Sequence, residues 1–283
     1  MLSIRGYLEL IRIPNSVLSG LGAVFSLLVY TYYHVENTVL ILVAFLTGFL
    51  VTGASMIIND VVDLEVDKLN KPWKPLPRGD ASPETSMKLA WLFLVVALVL
   101  NIMVSLLTTI TTLFYEFIGV SYNYLRRKWW SHILVALSTT GPIVYGYVAA
   151  GLPVSDLYFT ILFTIVIFTV TLGREFLKAI QDIEGDSKQG YKTIATVHGL
   201  EKASKTMLAT GLTGGVLGLA TLATNTSIFY KVFITIAAVV YIYSVIQAYR
   251  NKNTREKLEK PRKNTLLAMY IGTIAFWLSK IQF

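Results

Sequence analysis

Two acidic stripes and a set of basic loops carry the chemistry available to this 283-residue sequence. The first stripe reads Asn59-Asp60-Val61-Val62-Asp63-Leu64-Glu65-Val66-Asp67. Asn59, Asp63 and Asp67 recur every four residues, so a helix stacks them on one face, with Asp60 on its flank and Glu65 turned away to solvent. Stacked carboxylates repel, and each ionisable group inside a membrane helix costs about 2.5–3.5 kcal/mol. A positive charge must offset that cost. Magnesium fits, because it binds through one or two carboxylates, water and substrate phosphates. The competing reading is a solvated helix end with ordinary surface charges.

The second stripe runs from Arg174 to Asp186, Arg-Glu-Phe-Leu-Lys-Ala-Ile-Gln-Asp-Ile-Glu-Gly-Asp. Lys178, Asp182 and Asp186 repeat the four-residue spacing, and Glu175, seven before Asp182, shares their face. Gly185 is expected to end or loosen the helix and let Asp186 turn towards a ligand. Lys178 forms either a plain helix salt bridge or part of a mixed site, with carboxylates for metal and cations for phosphate. The presence of two such stripes favours the mixed site, and Arg174 and Glu175 are counted among its substrate-facing residues.

Basic loops lie between and after the stripes. Lys71-Pro72-Trp73-Lys74-Pro75-Leu76-Pro77-Arg78-Gly79 is a proline-stiffened segment with three cations, and Arg126-Arg127-Lys128 and Lys188 to Lys192 supply more. Such groups neutralise a diphosphate leaving group, or they simply obey the positive-inside rule. Arg78 is the one cation expected to touch substrate, because Pro77 and Gly79 fix its surroundings. Arg126, Arg127, Lys188 and Lys192 are further candidates. Asn15, after Pro14 at the mouth of the first apolar segment, either reaches substrate or caps a helix. Tyr122 and Tyr124 either contact substrate or belong to an interfacial aromatic belt. Gly211, Gly214, Gly215 and Gly218 read as close helix packing. Glu116 has no assigned role, and His132 and His198 read as interfacial or structural.

The elements that position these residues are apolar helices of membrane length. A span needs about 20 mostly apolar residues, and nine segments come close: 14–33, 39–60, 88–107, 109–125, 132–150, 157–180, 204–223, 228–248 and 264–282. The third and fourth form one hydrophobic hairpin, parted only around Thr108 to Thr112. With the N-terminus cytoplasmic, only Lys231 and Lys280 of the 25 lysines and arginines fall on the other side. The expectation is therefore an all-α, multi-pass protein of the cell membrane. It is a single domain over 1–283, its nine helices surround a cavity open to the cytoplasmic side, and its N-terminus and active site are cytoplasmic. Four helices separate the stripes, which suggests parallel four-helix halves, about 1–130 and 131–250, plus a ninth helix.

Composition agrees. The chain is 54% hydrophobic and 15% charged, against roughly 25% charged in a soluble domain. It has no cysteine, which excludes disulfides, thiolate metal sites and cysteine nucleophiles, and its three histidines lack metal-ligand spacing. A hard-cation site built from oxygens remains. The net charge of +8 is spread between apolar runs rather than gathered with aromatics, so nucleic acid is not an expected partner. The first apolar run lacks a small-residue cleavage site and reads as a retained helix.

Together, the Asn59–Asp67 stripe, the Lys178–Asp186 stripe and Arg78 in its proline-rich loop resemble the UbiA-type superfamily of intramembrane prenyltransferases. The resemblance covers nearly the whole chain. The Ile-Arg-Ile-Pro-Asn opening and the Asp-Ile-Glu-Gly-Asp ending look most like its archaeal ether-lipid branch. Membership implies that Asn59, Asp63, Asp67, Asp182 and Asp186 hold two magnesium ions on the diphosphate of geranylgeranyl diphosphate. It implies that Lys178, Arg78 and Lys74 carry the departing diphosphate, with Asp63, Asp182, Lys178 and Arg78 as the catalytic set. The free sn-2 hydroxyl of geranylgeranylglyceryl phosphate would intercept the allylic cation. The partners implied are a prenyl diphosphate donor, a lipid acceptor and membrane lipid. Two positions depart from the family. Ala179 stands where many relatives place another acid, which bears on the second metal's ligands. Ser131-His132 stand where relatives often show Gly-Asn, which bears on the acceptor.

A sibling reading keeps this chemistry with an aromatic acceptor of quinone, haem or chlorophyll type. A secondary transporter would carry its ionisable residues at the bilayer midplane on broken helices, whereas here they sit at helix ends. A CDP-alcohol phosphotransferase needs an Asp-Gly…Ala-Arg run that the chain lacks.

Overall fold

A computed structural model describes residues 3–188 and 190–281. Fourteen helices follow in order: α1 Ile4–Ile11, α2 Ile13–Tyr30, α3 Thr38–Val62, α4 Leu64–Asn70, α5 Pro75–Arg78, α6 Pro83–Ile102, α7 Leu106–Leu125, α8 His132–Ser138, α9 Gly141–Ala149, α10 Leu157–Gln181, α11 Ile183–Lys188, α12 Ile194–Ala220, α13 Ile228–Arg250 and α14 Arg255–Trp277. Two 3₁₀ turns, Val154–Asp156 and Thr221–Ala223, complete the described regular structure, and no strand occurs among the described residues. The protein is an all-α, polytopic membrane protein.

Seven segments among the described residues are long and apolar enough to cross a bilayer: α2, α3, α6, α8 with α9, α10, α12 with its following turn, and α13. The expected spans at 109–125 and 264–282 coincide with α7 and α14, which are not among the seven. Threonines, Glu116 and Asn123 dilute α7, and α14 opens on the highly charged run 255–263. Gln282, at the end of the last expected segment, lies outside the described residues. The break in the hydrophobic hairpin also moves. It falls at 103–105, where Ser105 Oγ accepts the Thr108 N–H at 3.1 Å, and Thr108 and Thr112 are buried on α7 instead.

The chain forms two compact units, Met1–Tyr124 with Gly141–Leu152, and Leu125–Thr140 with Pro153–Phe283. In the first, Ser3 Oγ caps α1 by accepting the Gly6 N–H at 3.0 Å. Arg12 then takes a left-handed conformation (φ 49°, ψ 60°) that joints α1 to α2, and Pro14 presets the first turn of α2. Helices α2 and α3 approach so closely at Gly48 that a Cβ there would lie 2.6 Å from Ser19 O. Small residues give apolar helices this approach, which replaces the hydrophobic drive that lipid cannot supply. Leu10 and Ile11 of α1, Ala54, Ile57 and Ile58 of α3, and Ala90 and Leu94 of α6 fill the core beneath the first acidic stripe. Deeper in, Asn101 Nδ2 donates to Thr47 Oγ1 at 2.8 Å and Tyr145 OH donates to Asn101 Oδ1 at 2.9 Å, tying α3, α6 and α9 together.

In the second unit, α12 lies between α10 and α13. The expected glycine packing is present: a Cβ at Gly211 would stand 2.8 Å from both Val245 methyls. Leu177, Met207, Tyr241, Val245 and Leu258 fill the core around it. Phe159, Phe163 and Phe276 stack with ring centroids 5.0–6.1 Å apart, and Tyr230 meets Phe159 edge-on. A capping box starts α12, in which the Thr193 and Thr196 hydroxyls satisfy each other's backbone N–H.

Candidate active site

In the first unit, the acidic stripe crosses a helix break and keeps its register. Helix α3 stops at Val62, Asp63 sits between α3 and α4, and the bonds Asp63 N–H to Asn59 O (3.0 Å) and Asp67 N–H to Asp63 O (2.8 Å) continue across it. Asp60, Asp63 and Asp67 are all buried, at 4, 5 and 2% exposure. Burial at that level demands compensating charge. Lys74, at the start of the α5 turn, supplies it: its Nζ lies 2.8 Å from Asp60 Oδ1 and 2.5 Å from Asp67 Oδ2. Burial works against the charged lysine, but the hydrogen bonds to Asp60 and Asp67 outweigh it and raise its pKa. Arg12 Nη2 reaches the same Asp60 Oδ1 at 3.0 Å, Asn59 Nδ2 donates to it at 3.4 Å, and Lys71 Nζ lies 3.5 Å from Asp67 Oδ1. Asp60, expected on the flank, is thus the hub of the cluster.

Arg78 turns elsewhere. It pairs with Glu9 of α1 at 3.0 Å and with Asp80 at 2.5 Å, and it donates to Trp73 O at 3.0 Å, so it fastens the proline-rich loop to α1. Asn15 is exposed on α2 and stands inside the helix, since the N-cap position belongs to Arg12. Tyr122 is half-buried next to Asn123, which donates to Ser55 O at 3.1 Å, one turn before Asn59 on α3.

In the second unit, Glu175 is the centre. Lys178 Nζ lies 3.0 and 3.1 Å from its two oxygens, Arg174 Nη1 3.6 Å from Oε1 and His132 Nδ1 3.9 Å from Oε2. The helix salt bridge of Lys178 is therefore real. Asp182 caps α10, and the bond from Asp186 N–H to its carbonyl, 2.9 Å, carries the stripe into α11. Burial, then the like charge of Asp182, raises the Asp186 pKa, while His132 and Lys178 pull it down. Gly185 does not end the helix as expected. The break falls at Asp182, and α11 runs through Gly185 to Lys188. Arg127, Lys188 and Lys192 are exposed and Arg126 is half-buried.

Two residues join the clusters without a signal that spacing could carry. Arg12 is 48 residues from Asp60, and the Ile-Arg-Ile-Pro-Asn opening, which marks the family resemblance, gives it no role of its own. His132, expected to be interfacial or structural, faces Glu175 and acts electrostatically on Asp186.

Oxygen donors of this kind suit magnesium, which needs only one or two carboxylates when phosphate and water complete its shell. Lys74 Nζ, between Asp60 and Asp67, marks where the first cluster already holds a cation. Among the described residues, no group of three or more His, Cys, Asp or Glu side chains is arranged to hold a metal, in keeping with Asp60 and Asp67 being turned onto that lysine.

The chain is thus a many-helix membrane protein with acidic residues and cationic partners at the ends of two long helices, α3 and α10. The UbiA prenyltransferase family model matches residues 19–274, and the chain belongs to that family. Over its full length the chain is 30% identical to the digeranylgeranylglyceryl phosphate synthase of Saccharolobus solfataricus, covering 99% of that protein. A solved structure of a digeranylgeranylglyceryl phosphate synthase in membranes superposes with a TM-score of 0.88 at 23% identity, covering 99% of each chain. A UbiA homolog from Archaeoglobus fulgidus, solved bound to DMAPP and Mg2+, superposes at 0.66 and 18% identity over 95% of this chain and 98% of the other.

Proposed function

We propose that this protein transfers the geranylgeranyl group of geranylgeranyl diphosphate to the sn-2 hydroxyl of geranylgeranylglyceryl phosphate, releasing diphosphate and making an archaeal ether-lipid precursor. The observation that carries this is the joint burial of Asp60, Asp63 and Asp67 where α3 gives way to α4, with Arg12 and Lys74 on Asp60 and Lys74 on Asp67, in a family with a solved member bound to DMAPP and Mg2+. Full-length identity with a named synthase supports the ether-lipid acceptor. Asn59, Asp63 and Asp67 in the first unit, and Asp182 and Asp186 in the second, are the residues that would hold magnesium. The metal, when bound, supplies positive charge to the diphosphate oxygens as the C1–O bond breaks.

The chain's own residues do the rest. Lys74 and Lys178 offer further positive charge to the leaving diphosphate, and Arg78 holds the loop that carries Lys74. Glu175, which Arg174 also contacts, keeps Lys178 in place. Apolar helix faces exclude water, so the allylic cation meets the acceptor hydroxyl and is not hydrolysed to an alcohol. Asn15, Tyr122, Arg126, Arg127, Lys188 and Lys192 are candidate contacts for the acceptor and its phosphate. The distribution of lysine and arginine supports an orientation with the N-terminus and both stripes on the cytoplasmic side of the cell membrane.

A prenyl-transfer assay on purified protein in detergent tests the reading. Labelled geranylgeranyl diphosphate is supplied with geranylgeranylglyceryl phosphate or with 4-hydroxybenzoate, with and without magnesium, beside Asp63→Ala. Magnesium-dependent label in the glycerophosphate product, lost in the variant, is expected. Label only in the aromatic product would overturn the acceptor and keep the chemistry, and no transfer from folded protein would overturn both.

A further inference from the structure

The first cluster is electrically closed as it stands. Three buried carboxylates, Asp60, Asp63 and Asp67, share one cluster with three cations: Arg12 and Lys74 pair with Asp60, and Lys71 and Lys74 with Asp67. Of these, Lys74 is the most deeply placed and the one that bridges: one Nζ serves Asp60 at 2.8 Å and Asp67 at 2.5 Å. It occupies a position between two carboxylates that a divalent cation on Asp67 would contest. A magnesium ion entering this neutral cluster alone adds two positive charges beside three existing ones. A magnesium ion arriving with a diphosphate adds little net charge and brings oxygens that a displaced lysine can grip. Asp60 keeps Lys74 within reach in both states, because it is anchored separately by Arg12 at 3.0 Å.

We infer that Lys74 is an exchangeable internal counter-ion: it holds Asp67 until a metal–diphosphate pair arrives, then trades that carboxylate for a diphosphate oxygen while staying on Asp60. The cluster therefore takes up divalent metal and diphosphate together and resists metal alone. Repulsion between cations at contact distance, even screened by water, accounts for a penalty of at least about tenfold in affinity. The inference rests on the proposed reading of this cluster as a metal–diphosphate site and specifies its order of loading.

The test is binding, without turnover. Mn2+ is the probe metal and inorganic diphosphate the probe anion, on the purified full chain in detergent at fixed neutral pH. Bound Mn2+ is read by loss of the free-ion EPR signal and bound diphosphate by equilibrium dialysis. The wild type should bind Mn2+ at least about tenfold more tightly with diphosphate present than without. Lys74→Met should tighten binding of Mn2+ alone by a similar factor and shrink that coupling, while Lys74→Arg should behave as wild type. Because each variant is compared with wild type, Mn2+ held by other acids cancels. Lys74→Met that binds Mn2+ alone no more tightly than wild type overturns the inference. Should Lys74→Met not fold, Lys74→Gln asks the same question of the same position, and unchanged affinity for Mn2+ alone there overturns it equally. Coupled binding without any prenyl transfer would leave this inference standing and sink the proposed reaction. Transfer without the Lys74 effect would do the reverse.

Discussion

Gln181 Nε2 donates to Glu259 Oε2 at 3.0 Å, joining the last residue of α10 to the charged opening of α14. Gln181 immediately precedes Asp182, so this bond fixes the helix end that presents the second stripe. Arg262 and Lys263 hold the same carboxylate, at 3.1 and 3.2 Å.

A pH dependence of stability follows. The Gln181 hydrogen bond first, then Lys263 and Arg262, lowers the Glu259 pKa from 4.5 to about 2. A carboxylate depressed in the folded state stabilises fully above its unfolded pKa, and that contribution is lost as pH falls through the folded value. The wild type should lose melting temperature between pH 4.5 and 2 more steeply than Glu259→Gln, with the two curves meeting at the acid end. Parallel curves in that range would show that Glu259 gains nothing from its partners.

Asp156 and Lys280 form a buried ion pair at 1 and 8% exposure, and Lys280 also donates to Asn225 O at 3.3 Å. The pair latches the start of α10 to the stretch after α14. Removing one partner leaves the other charged and buried, which costs about 3–5 kcal/mol. Lys280→Met should unfold at clearly lower denaturant, and Asp156→Asn with Lys280→Met should recover much of the loss. A double variant no more stable than the single would mean the loss is one of packing and not of charge.

At Gly211, an added methyl would meet Val245, which is wholly buried. Overpacking of this kind costs about 1–3 kcal/mol. Gly211→Ala should lower the melting temperature, and Val245→Ala in the same chain should relieve part of that loss. An unchanged melting temperature in the single variant would show that α12 and α13 can separate at no cost.

Periodicity revealed much of this. A four-residue spacing is a property of helical geometry, so Asn59, Asp63 and Asp67 could be aligned from sequence, as could the glycine face of α12. The same property hides the helix breaks at Asp63 and Asp182. Backbone bonds to residue i−4 persist across both, the register never slips, and no spacing records the interruption. Gly185 misled because a glycine without steric demand is as compatible with a short helix as with its end, and nothing lies within 4 Å of the position its Cβ would take. The hairpin break at 103–105 did leave a signal, Ser105 three residues before Thr108, but the surrounding threonines masked it. Arg12 and His132 were out of reach, since contacts to Asp60 and Glu175 are made by tertiary packing between residues 48 and 43 apart in sequence.

Arg12 gives the sharpest test of the first cluster, because it meets Asp60 at 3.0 Å and acts through that carboxylate. It stands at the left-handed joint between α1 and α2. With Arg12→Gln, Asp60 keeps one cation of its two, and Lys74 is held to Asp60 and Asp67 more firmly. Lys74 is then less available to a diphosphate. A hydrogen bond to a charged group contributes about 1.5–3 kcal/mol, so KM for the prenyl diphosphate should rise about ten- to a hundredfold, with a smaller change in kcat. Arg12→Lys should fall between, because it keeps the charge but not the guanidinium whose Nη2 reaches Asp60 Oδ1. A fall in kcat with KM unchanged would move Arg12 from substrate capture to the bond-breaking step. No change in either would reduce it to a fastener of α1.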